Sequence, residues 1–341
     1  MCACVPCERQ KCSEIRRVLS AGKFPMNFDG LLEKAFSARA GILPFSDAFR
    51  IVDGADDGFP GVTLDKYADA YQLQFFGPEL LSREAFLAEA VVRVFNPKFL
   101  VSKFRLSPSG KSLENPEMRI AFGRAENAVT IVREGNAKFR VDLLDTVNPG
   151  LFLDMRDGRL DVEARARGRE ILNLFSYTCS FAVHARIGGA KRAVNADISG
   201  KILEKGRENF RLNGIEILPG EFFRGDSREY VAWCKRKGLR FGGIILDPPS
   251  FSRNKGKVFS VKTDFQKLVA EICEILLPGG FLLASSNFSG FHPDALARET
   301  LKTAQEKFPS ARIAWFRGQG PDFPGSGRRR ESSLSAVMVE V

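Results

Sequence analysis

The segment Glu170-Ile-Leu-Asn-Leu-Phe175, followed directly by Ser176-Tyr-Thr-Cys-Ser180, decides the fold of this chain. The first run is compact and apolar, as in a buried strand, and the second run interrupts it. Phe181 to Ile187 then has the spacing of a short helix. The same order recurs at once, with a strand predicted at Ala193–Asp197 and a helix at Ser199–Asn213, whose first residue is the predicted N-cap. Strands that alternate with helices predict an α/β fold with a parallel sheet and helices on both faces.

The rest of the C-terminal half supplies further elements of the same kind. Helices are predicted at Thr263–Leu277, where Pro278-Gly-Gly280 would end the helix, and at Pro293–Lys307. Further strands are predicted at Glu221–Arg224, Gly243–Asp247, Phe281–Ser286, Ala311–Phe316 and Leu334–Val341. The sheet is therefore expected to have seven strands.

The N-terminal half has a different pattern, in which strands predominate. Strands are predicted at Phe49–Gly54, Gly61–Asp65, Ala70–Phe76, Phe99–Phe104, Ala128–Val132 and Phe139–Leu144, with one helix at Glu79–Phe95. We therefore expect three parts. Residues 1–44 would be a Cys-rich leader and helical segment, residues 45–145 a small α+β domain for substrate or RNA recognition, and residues 146–341 the α/β domain.

The charge of the chain favours a polyanionic partner. Its 341 residues carry 51 Lys and Arg against 41 Asp and Glu, a formal net charge of +10. Nucleic acid is a common partner of such proteins, although many basic proteins only carry solvated lysines. The sequence has no apolar run of about 20 residues for a membrane span, and its first residues lack the apolar region of a signal peptide. We therefore expect a cytoplasmic protein without a membrane segment.

Cysteines crowd into the leader, which contains Cys2, Cys4, Cys7 and Cys12. Disulfides are uncommon in a reducing compartment, so these residues form either a small metal site or free thiols. Their spacing does not match the paired knuckles of structural zinc, and we assign no metal to the chain.

Polar residues follow the predicted parallel strands where each strand ends. These residues are Asn173 to Ser180, Asp197, Asp226 and Asp247. In an open sheet of this kind, ligands bind at the carboxyl ends of the strands. The loop after the first strand contains no glycine, so it does not suit the pyrophosphate of a dinucleotide. The sequence predicts a nucleoside cofactor without phosphates, with Asp197 at its ribose and Asp226 at its adenine, although a single Asp at a strand end is as often a helix cap.

Asp247-Pro248-Pro249 is the sharpest local signal. Two prolines after an apolar strand can neither extend the strand nor enter a helix, so they fix a rigid turn. A turn of this kind can accept hydrogen bonds from the amino group of a planar base. The alternative is a simple strand terminator.

Jointly, several motifs resemble the class I S-adenosylmethionine-dependent methyltransferases, specifically the enzymes that modify cytosine C5 or guanine in large-subunit ribosomal RNA. The motifs are Asp47-Ala-Phe-Arg-Ile-Val52, Asp57-Gly-Phe-Pro-Gly-Val-Thr-Leu-Asp-Lys-Tyr67, Gly150-Leu-Phe-Leu-Asp-Met-Arg-Asp-Gly-Arg159, Asn173-Leu-Phe-Ser-Tyr-Thr178, Glu208-Asn-Phe-Arg-Leu-Asn-Gly214 and Asp247-Pro-Pro-Ser-Phe251. The resemblance implies a doubly wound, Rossmann-like sheet of seven strands and S-adenosylmethionine as cofactor. It implies that the cofactor is bound by Phe152, Asp154, Arg156, Asn173, Phe175, Ser176, Tyr177, Thr178, Asp197, Asp226 and Ser227.

Two departures from this family bear on the chemistry of the site. Cys179-Ser180 stands where relatives usually have two glycines, and Ser286-Asn287 stands where the cytosine-C5 relatives carry a cysteine. Cytosine C5 needs a thiolate to add to the ring, whereas a guanine nitrogen already has a lone pair. We therefore favour a guanine nitrogen, positioned by Asp247, Pro248 and Asn287, while Cys179 keeps the cytosine alternative open.

The predicted crevice is flanked by basic and aromatic residues that could contact RNA. The candidates for phosphate contacts are Arg253, Lys255, Lys257, Arg328, Arg329 and Arg330, and those for stacking on a base are Phe251 and Phe288. Solvated loops and core packing are the competing interpretations. Two other functions also remain open: a methyltransferase of the same fold that acts on a small molecule or a protein, and a non-catalytic RNA-binding or assembly factor.

Overall fold

The computed structural model of the chain describes residues 27–106, 112–146, 148–249, 251–254, 257–287, 293–324 and 334–341. They divide into two compact units. The first takes in the described residues of Met1–Gly135, Phe139–Leu153 and Pro321–Gly325, and the second those of Asn136–Lys138, Asp154–Gly320 and Ser326–Val341. The leader cysteines lie outside the described residues.

The first unit is built on a five-stranded sheet. Its strands, in chain order and in sheet order, are β1 Ala48–Asp53, β2 Val62–Tyr67, β3 Ala70–Phe75, β4 Phe99–Leu106 and β5 Ser112–Phe122. Helices α1 Phe28–Ala38 and α2 Glu84–Phe95 pack on it, and β6 Val129–Glu134 pairs with β7 Ala137–Asp142. Strands β3 and β4 are parallel because α2 connects them, and the other pairs are antiparallel. Strand β5 was not predicted, because Glu114, Pro116 and Glu117 hide its alternation.

The second unit is a seven-stranded sheet with helices, as the sequence predicted. Its helices are α3 Arg156–Arg165, α4 Ser180–Ile187, α5 Gly200–Leu212, α6 Ser227–Lys237, α7 Val261–Cys273 and α8 Pro293–Lys307. The strands are β8 Glu170–Leu174, β9 Arg192–Asp197, β10 Phe222–Arg224, β11 Phe241–Leu246, β14 Leu276–Ser286, β15 Arg312–Arg317 and β16 Ser335–Glu340; the hairpin β12 Phe251–Asn254 and β13 Lys257–Ser260 precedes α7. Helices α3, α4 and α5 pack in one group and α6, α7 and α8 in another.

The strand order places a ligand crevice between two particular strands. The order is β10-β9-β8-β11-β14-β16-β15, and the first five strands are mutually parallel, whereas β16 is antiparallel to both of its neighbours. Strand β9, the next strand in sequence, lies on one side of β8, and β11, which comes later in the chain, lies on its other side. Such a reversal of strand order opens a crevice at the carboxyl ends of the two central strands, β8 and β11.

Two predicted helix boundaries were wrong. Helix α2 begins at Glu84 rather than at Glu79, because a 3-10 helix occupies Pro78–Arg83. Helix α7 ends at Cys273 rather than at Leu277, and Leu276 already begins β14. Pro278-Gly279-Gly280 therefore interrupts the beginning of a strand instead of ending a helix. The pairing of β11 with β14 shifts its register at this point, between Phe241 and Gly243, because the irregular residues are accommodated as a bulge.

No helix in the described part of the chain is both long enough and apolar enough to cross a lipid bilayer.

Candidate active site

The candidate site lies where the parallel strands of the second unit end. In the sheet register Leu174 is opposite Leu246 on one side and Ala196 on the other, and Leu246 is opposite Ala284. Asp197 is in turn opposite Arg224. The residues that follow these positions therefore lie along one edge, as predicted from the sequence.

The loop after β8 has an unusual backbone. Phe175, Tyr177 and Cys179 adopt positive φ angles of 54°, 48° and 62°. Residues other than glycine rarely adopt this conformation, which costs on the order of 1 kcal/mol or more at each position. The alternation of left-handed and ordinary residues winds the chain tightly between β8 and α4. Strain of this kind clusters at ligand sites, where the surrounding structure must impose it.

Asp197 is one of the residues that hold this loop. Its Oδ2 accepts a hydrogen bond from the Tyr177 backbone N–H at 3.0 Å, and its Oδ1 accepts one from the Ser199 N–H at 2.9 Å. Burial raises the pKa of the carboxyl, although the backbone hydrogen bonds act in the opposite direction. A carboxylate oxygen can accept two hydrogen bonds. These contacts, with a further backbone hydrogen bond from Ile198, fix Asp197 and still leave its carboxylate capacity to accept a hydrogen bond from a ligand hydroxyl.

Ser227 holds the loop from the other side. Its hydroxyl accepts a hydrogen bond from the Phe175 N–H at 3.0 Å and donates to the Ala196 carbonyl at 3.2 Å. Asp226 caps α6 by accepting from the Arg228 N–H at 2.9 Å, and the Arg228 guanidinium also pairs with its carboxylate. Asp226 and Ser227, which were predicted to contact adenine, therefore already form hydrogen bonds or ion pairs within the protein.

Asp247 is the ionisable group at the centre of the edge. Its Oδ1 accepts a hydrogen bond from the Ser285 hydroxyl at 2.6 Å. Burial raises the pKa of its carboxyl from the ordinary 3.8 to about 6, Ser285 lowers it, nearby Asp154 raises it and Arg159 lowers it. The carboxylate is thus ionised at neutral pH, yet poised to take up a proton.

The loop cysteine is a core residue. Cys179 is fully buried, and burial raises the pKa of its thiol. Its side chain packs against α5 at Gly206, where an added Cβ would lie 2.4 Å from the Cys179 sulfur. Burial also raises the pKa values of Cys234 and Cys273 to about 11, and both side chains belong to the core beside the sheet. None of these three thiols has the character of a nucleophile.

The remaining predicted cofactor residues lie at several places. Asn173 is buried and donates to Asn195 Oδ1 at 3.0 Å, so its side chain stabilises the pair of strands β8 and β9. Ser176 and Thr178 are buried in the loop, Arg156 begins α3 and is buried, Asp154 is partly exposed, and Phe152 belongs to the first unit and is exposed.

Of the predicted residues for the base and for RNA, the structure describes only some. Buried Pro248 follows Asp247, and exposed Asn287 follows β14. Lys255, Phe288, Arg328, Arg329 and Arg330 lie outside the described residues, and the side chains of Phe251, Arg253 and Lys257 are likewise outside the described part. That these basic and aromatic residues contact RNA stays a prediction.

Sequence reasoning missed three residues of the site. Ser285 bonds to Asp247, Arg159 is fully buried near it, and Gly206 accommodates Cys179. The parallel pairing of β11 with β14 would have placed Ser285 beside Asp247. Arg159 closes one of the motifs that carry the family resemblance, although no role was assigned to it. Gly206 carries no signal, because a glycine within a polar helix has no distinctive pattern.

A parallel sheet whose strand order reverses, with a partly buried carboxylate after its second strand and no glycine-rich phosphate loop, is typical of α/β proteins that bind a nucleoside cofactor at the carboxyl ends of the strands. The family model for S-adenosylmethionine-dependent methyltransferases matches residues 98–329, so the chain belongs to that family. This confirms the predicted family, fold and enzyme class. The methyl donor of the family is S-adenosylmethionine, and the tightly wound loop and the free acceptor capacity of Asp197 fit it.

Individual proteins are similar over most of the chain. YwbD of Bacillus subtilis is 33% identical over 264 residues, which are 76% of this chain and 66% of that protein. Ribosomal RNA large subunit methyltransferase K of Neisseria meningitidis is 36% identical over 262 residues, 74% of this chain and 73% of that protein. The crystal structure of SMU.776 complexed with SAH has a TM-score of 0.79 at 25% identity and covers 92% of this chain and 81% of that one. The matches to the two curated relatives thus leave about a third and a quarter of their lengths uncovered.

Proposed function

We propose that this protein transfers a methyl group from S-adenosylmethionine to a base of large-subunit ribosomal RNA, and that a guanine nitrogen is the acceptor rather than cytosine C5. The relative from Neisseria meningitidis carries the name of a large-subunit ribosomal RNA methyltransferase, which supports the substrate class. The net charge of +10 supports a polyanionic substrate. Ribosomal RNA as the substrate also agrees with a cytoplasmic location.

The choice of a guanine nitrogen over cytosine C5 rests on the cysteines, since none of those described has the character of a thiolate nucleophile. Addition to the cytosine ring needs a cysteine thiolate at the crevice. Among the described residues, the cysteines are Cys179, Cys234 and Cys273, and burial raises the pKa of each. The sequence has no cysteine after Cys273, so none follows β14. A nitrogen acceptor needs no such nucleophile.

The residues at this edge of the sheet can position a guanine and accept a proton from it. The Asp247 carboxylate and the Pro248 carbonyl would accept hydrogen bonds from an exocyclic amino group, and Asn287 would contact the same base. If the guanine nitrogen is the exocyclic amino group, the methyl group that S-adenosylmethionine would supply can replace one of its protons only if a base accepts that proton. Asp247, whose pKa is about 6, is suited to accept it. Alignment of the acceptor with the methyl group supplies much of the remaining acceleration.

The cofactor would be held by the side chains around the strained loop. We assign its ribose to Asp197, its methionine part to the loop Phe175–Thr178 with Asn173, and its adenine to the region of Asp226 and Ser227. Phe152, Asp154 and Arg156 would contribute from the segment before β8. S-adenosylmethionine supplies an activated methyl group, and these residues orient it.

The experiment is a transfer assay with radiolabelled S-adenosylmethionine. The acceptors are unmodified large-subunit ribosomal RNA, naked and as assembled subunits, and in parallel samples a protein mixture and small-molecule acceptors. We expect label that is released by ribonuclease and resists protease. Label on protein or small molecules alone would contradict the proposal. Cofactor binding without transfer to any acceptor would contradict it as well, and RNA binding without cofactor binding would indicate an assembly factor.

A further inference from the structure

The sheet edge opposite the candidate site is densely basic. Parallel topology brings the first residues of the strands and the last turns of the helices together there. Arg167 precedes β8, Lys191 precedes β9, and Arg240 precedes β11. With the last turn of α6 they form a cluster that we call the basic edge: Arg167, Lys191, Lys235, Arg236, Lys237 and Arg240, all of which are exposed.

Backbone contacts hold these segments side by side. The Gly168 N–H donates to the Gly189 carbonyl at 2.9 Å, and the Lys191 N–H donates to the Arg169 carbonyl at 2.8 Å. Arg169 Nη1 donates to the Gly242 and Gly279 carbonyls at 3.3 and 2.8 Å, and so ties the segment before β8 to β11 and β14. The basic edge is therefore a fixed surface formed by neighbouring loops.

The cations of the basic edge make no direct ion pairs with the residues that the structure describes. Within the described ranges, none of the six forms an ion pair with a carboxylate, whereas neighbouring Arg186 and Lys307 pair with Glu221 and Glu274. The pKa of the partly exposed Glu274 carboxyl is lowered first by Lys307 and also by Lys235 and Arg240, so Glu274 compensates part of the charge of these last two cations without pairing directly with them. Lysines in the last turn of α6 complement the helix dipole, but that role does not account for Arg167, Lys191 or Arg240, which lie outside helices.

An exposed tryptophan lies among the cations of the basic edge. Trp233 is 39% exposed, although a side chain of this size is usually covered. It precedes Arg236 and Lys237 by three and four positions in α6, so all three lie on one face of the helix. An aromatic ring beside guanidinium and ammonium groups is the combination that binds single-stranded RNA, because bases stack on the ring while phosphates contact the cations.

We propose that the basic edge with Trp233 is a second RNA-binding surface, which holds a single-stranded segment of the substrate away from the site of methyl transfer. The proposal rests on the proposed function in taking RNA as the substrate. The five residues of β8 separate the two edges, a distance of about 17 Å at roughly 3.3 Å per residue. A flanking segment of the same RNA can span that distance, and contacts there would raise affinity without touching the acceptor base.

The test uses intrinsic fluorescence and the salt dependence of RNA binding. The chain has two tryptophans, so the variant Trp315→Phe leaves Trp233 as the only reporter. We expect short single-stranded RNA of mixed sequence to quench the fluorescence of Trp233 saturably. In Trp233→Phe, where Trp315 is the remaining fluorophore, this quenching should be absent. In Lys191→Gln/Lys237→Gln/Arg240→Gln, the slope of log Kd against log salt should fall by about 2 to 3 and affinity by at least tenfold.

A matched control removes the same charge from another surface. Lys267→Gln/Arg298→Gln/Lys302→Gln changes exposed cations on α7 and α8. Equal losses of affinity in both triple variants, or no quenching in Trp315→Phe, would overturn the proposal. Methyl transfer to ribosomal RNA by the wild-type protein is measured in the same preparations. If transfer occurs and the basic-edge variant matches the control, this inference alone fails, and if transfer is absent, the proposed function fails.

Discussion

Replacement of Asp247 by asparagine should stabilise the protein while it impairs methyl transfer. Burial raises the pKa of this carboxyl from 3.8 to about 6. A raised pKa means that the folded state binds the proton more tightly than the unfolded state does, so wild-type stability falls as pH rises from about 4 to about 6. The shift corresponds to about 3 kcal/mol, and the partial exposure of the side chain reduces the expected effect to about 1–3 kcal/mol.

Asparagine removes this penalty and keeps the main contact. Its amide oxygen can still accept the hydrogen bond from Ser285, which is 2.6 Å from Asp247 in the wild type. Urea denaturation should therefore show a free energy of unfolding higher by about 1–3 kcal/mol for Asp247→Asn at pH 7.5. The difference should be near zero at about pH 3.5, where the Asp247 carboxyl is mostly protonated in both the folded and the unfolded state. The exposed Asp56→Asn is the control for loss of one charge. Unchanged or lower stability of Asp247→Asn at pH 7.5 would refute the reasoning.

Three further predictions concern the neighbours of Asp247 and of the strained loop. Because Ser285 lowers the pKa of Asp247, Ser285→Ala should move the acidic limb of the kcat/KM profile from near pH 6 to higher pH; a limb that stays in place would contradict the contact. Gly206→Ala places a Cβ 2.4 Å from the Cys179 sulfur, so it should cost about 1–3 kcal/mol of stability and weaken cofactor binding measured by calorimetry, whereas Gly206→Ala/Cys179→Gly should recover much of both. Cys179→Ser should keep turnover within a few-fold of wild type, and a total loss of transfer with intact folding would restore the cytosine alternative.

The main features of the second unit could be predicted from the sequence because they are local. Strand β8, the cap Ser199 and helix α8 were each predicted from apolar spacing or capping chemistry within a few residues. Ser199 accepts the predicted hydrogen bond from the Ile202 N–H, and α8 spans the predicted Pro293–Lys307.

Other features depend on contacts between distant residues, which a pattern along the chain does not record. The carboxyl of Asp247 owes its raised pKa to burial and to Asp154, and the strain at Phe175, Tyr177 and Cys179 is imposed by neighbouring elements. The sequence showed that the loop contains no glycine. It did not show that three other residues would adopt the left-handed conformation that glycine usually adopts. Helix α7 was predicted too long, because the apolar residues of Ile275-Leu-Leu277 fit a helix as well as a strand.

The most direct test of the central claim is the identity of the methylated nucleoside. The protein is incubated with S-adenosylmethionine that carries an isotopically labelled methyl group and with unmodified large-subunit ribosomal RNA, which is then digested and separated into nucleosides. The account predicts label in a methylated guanosine, and no label in that fraction when Asp247→Asn replaces the wild type. Label in 5-methylcytidine would contradict it, because that product requires a thiolate nucleophile at the crevice.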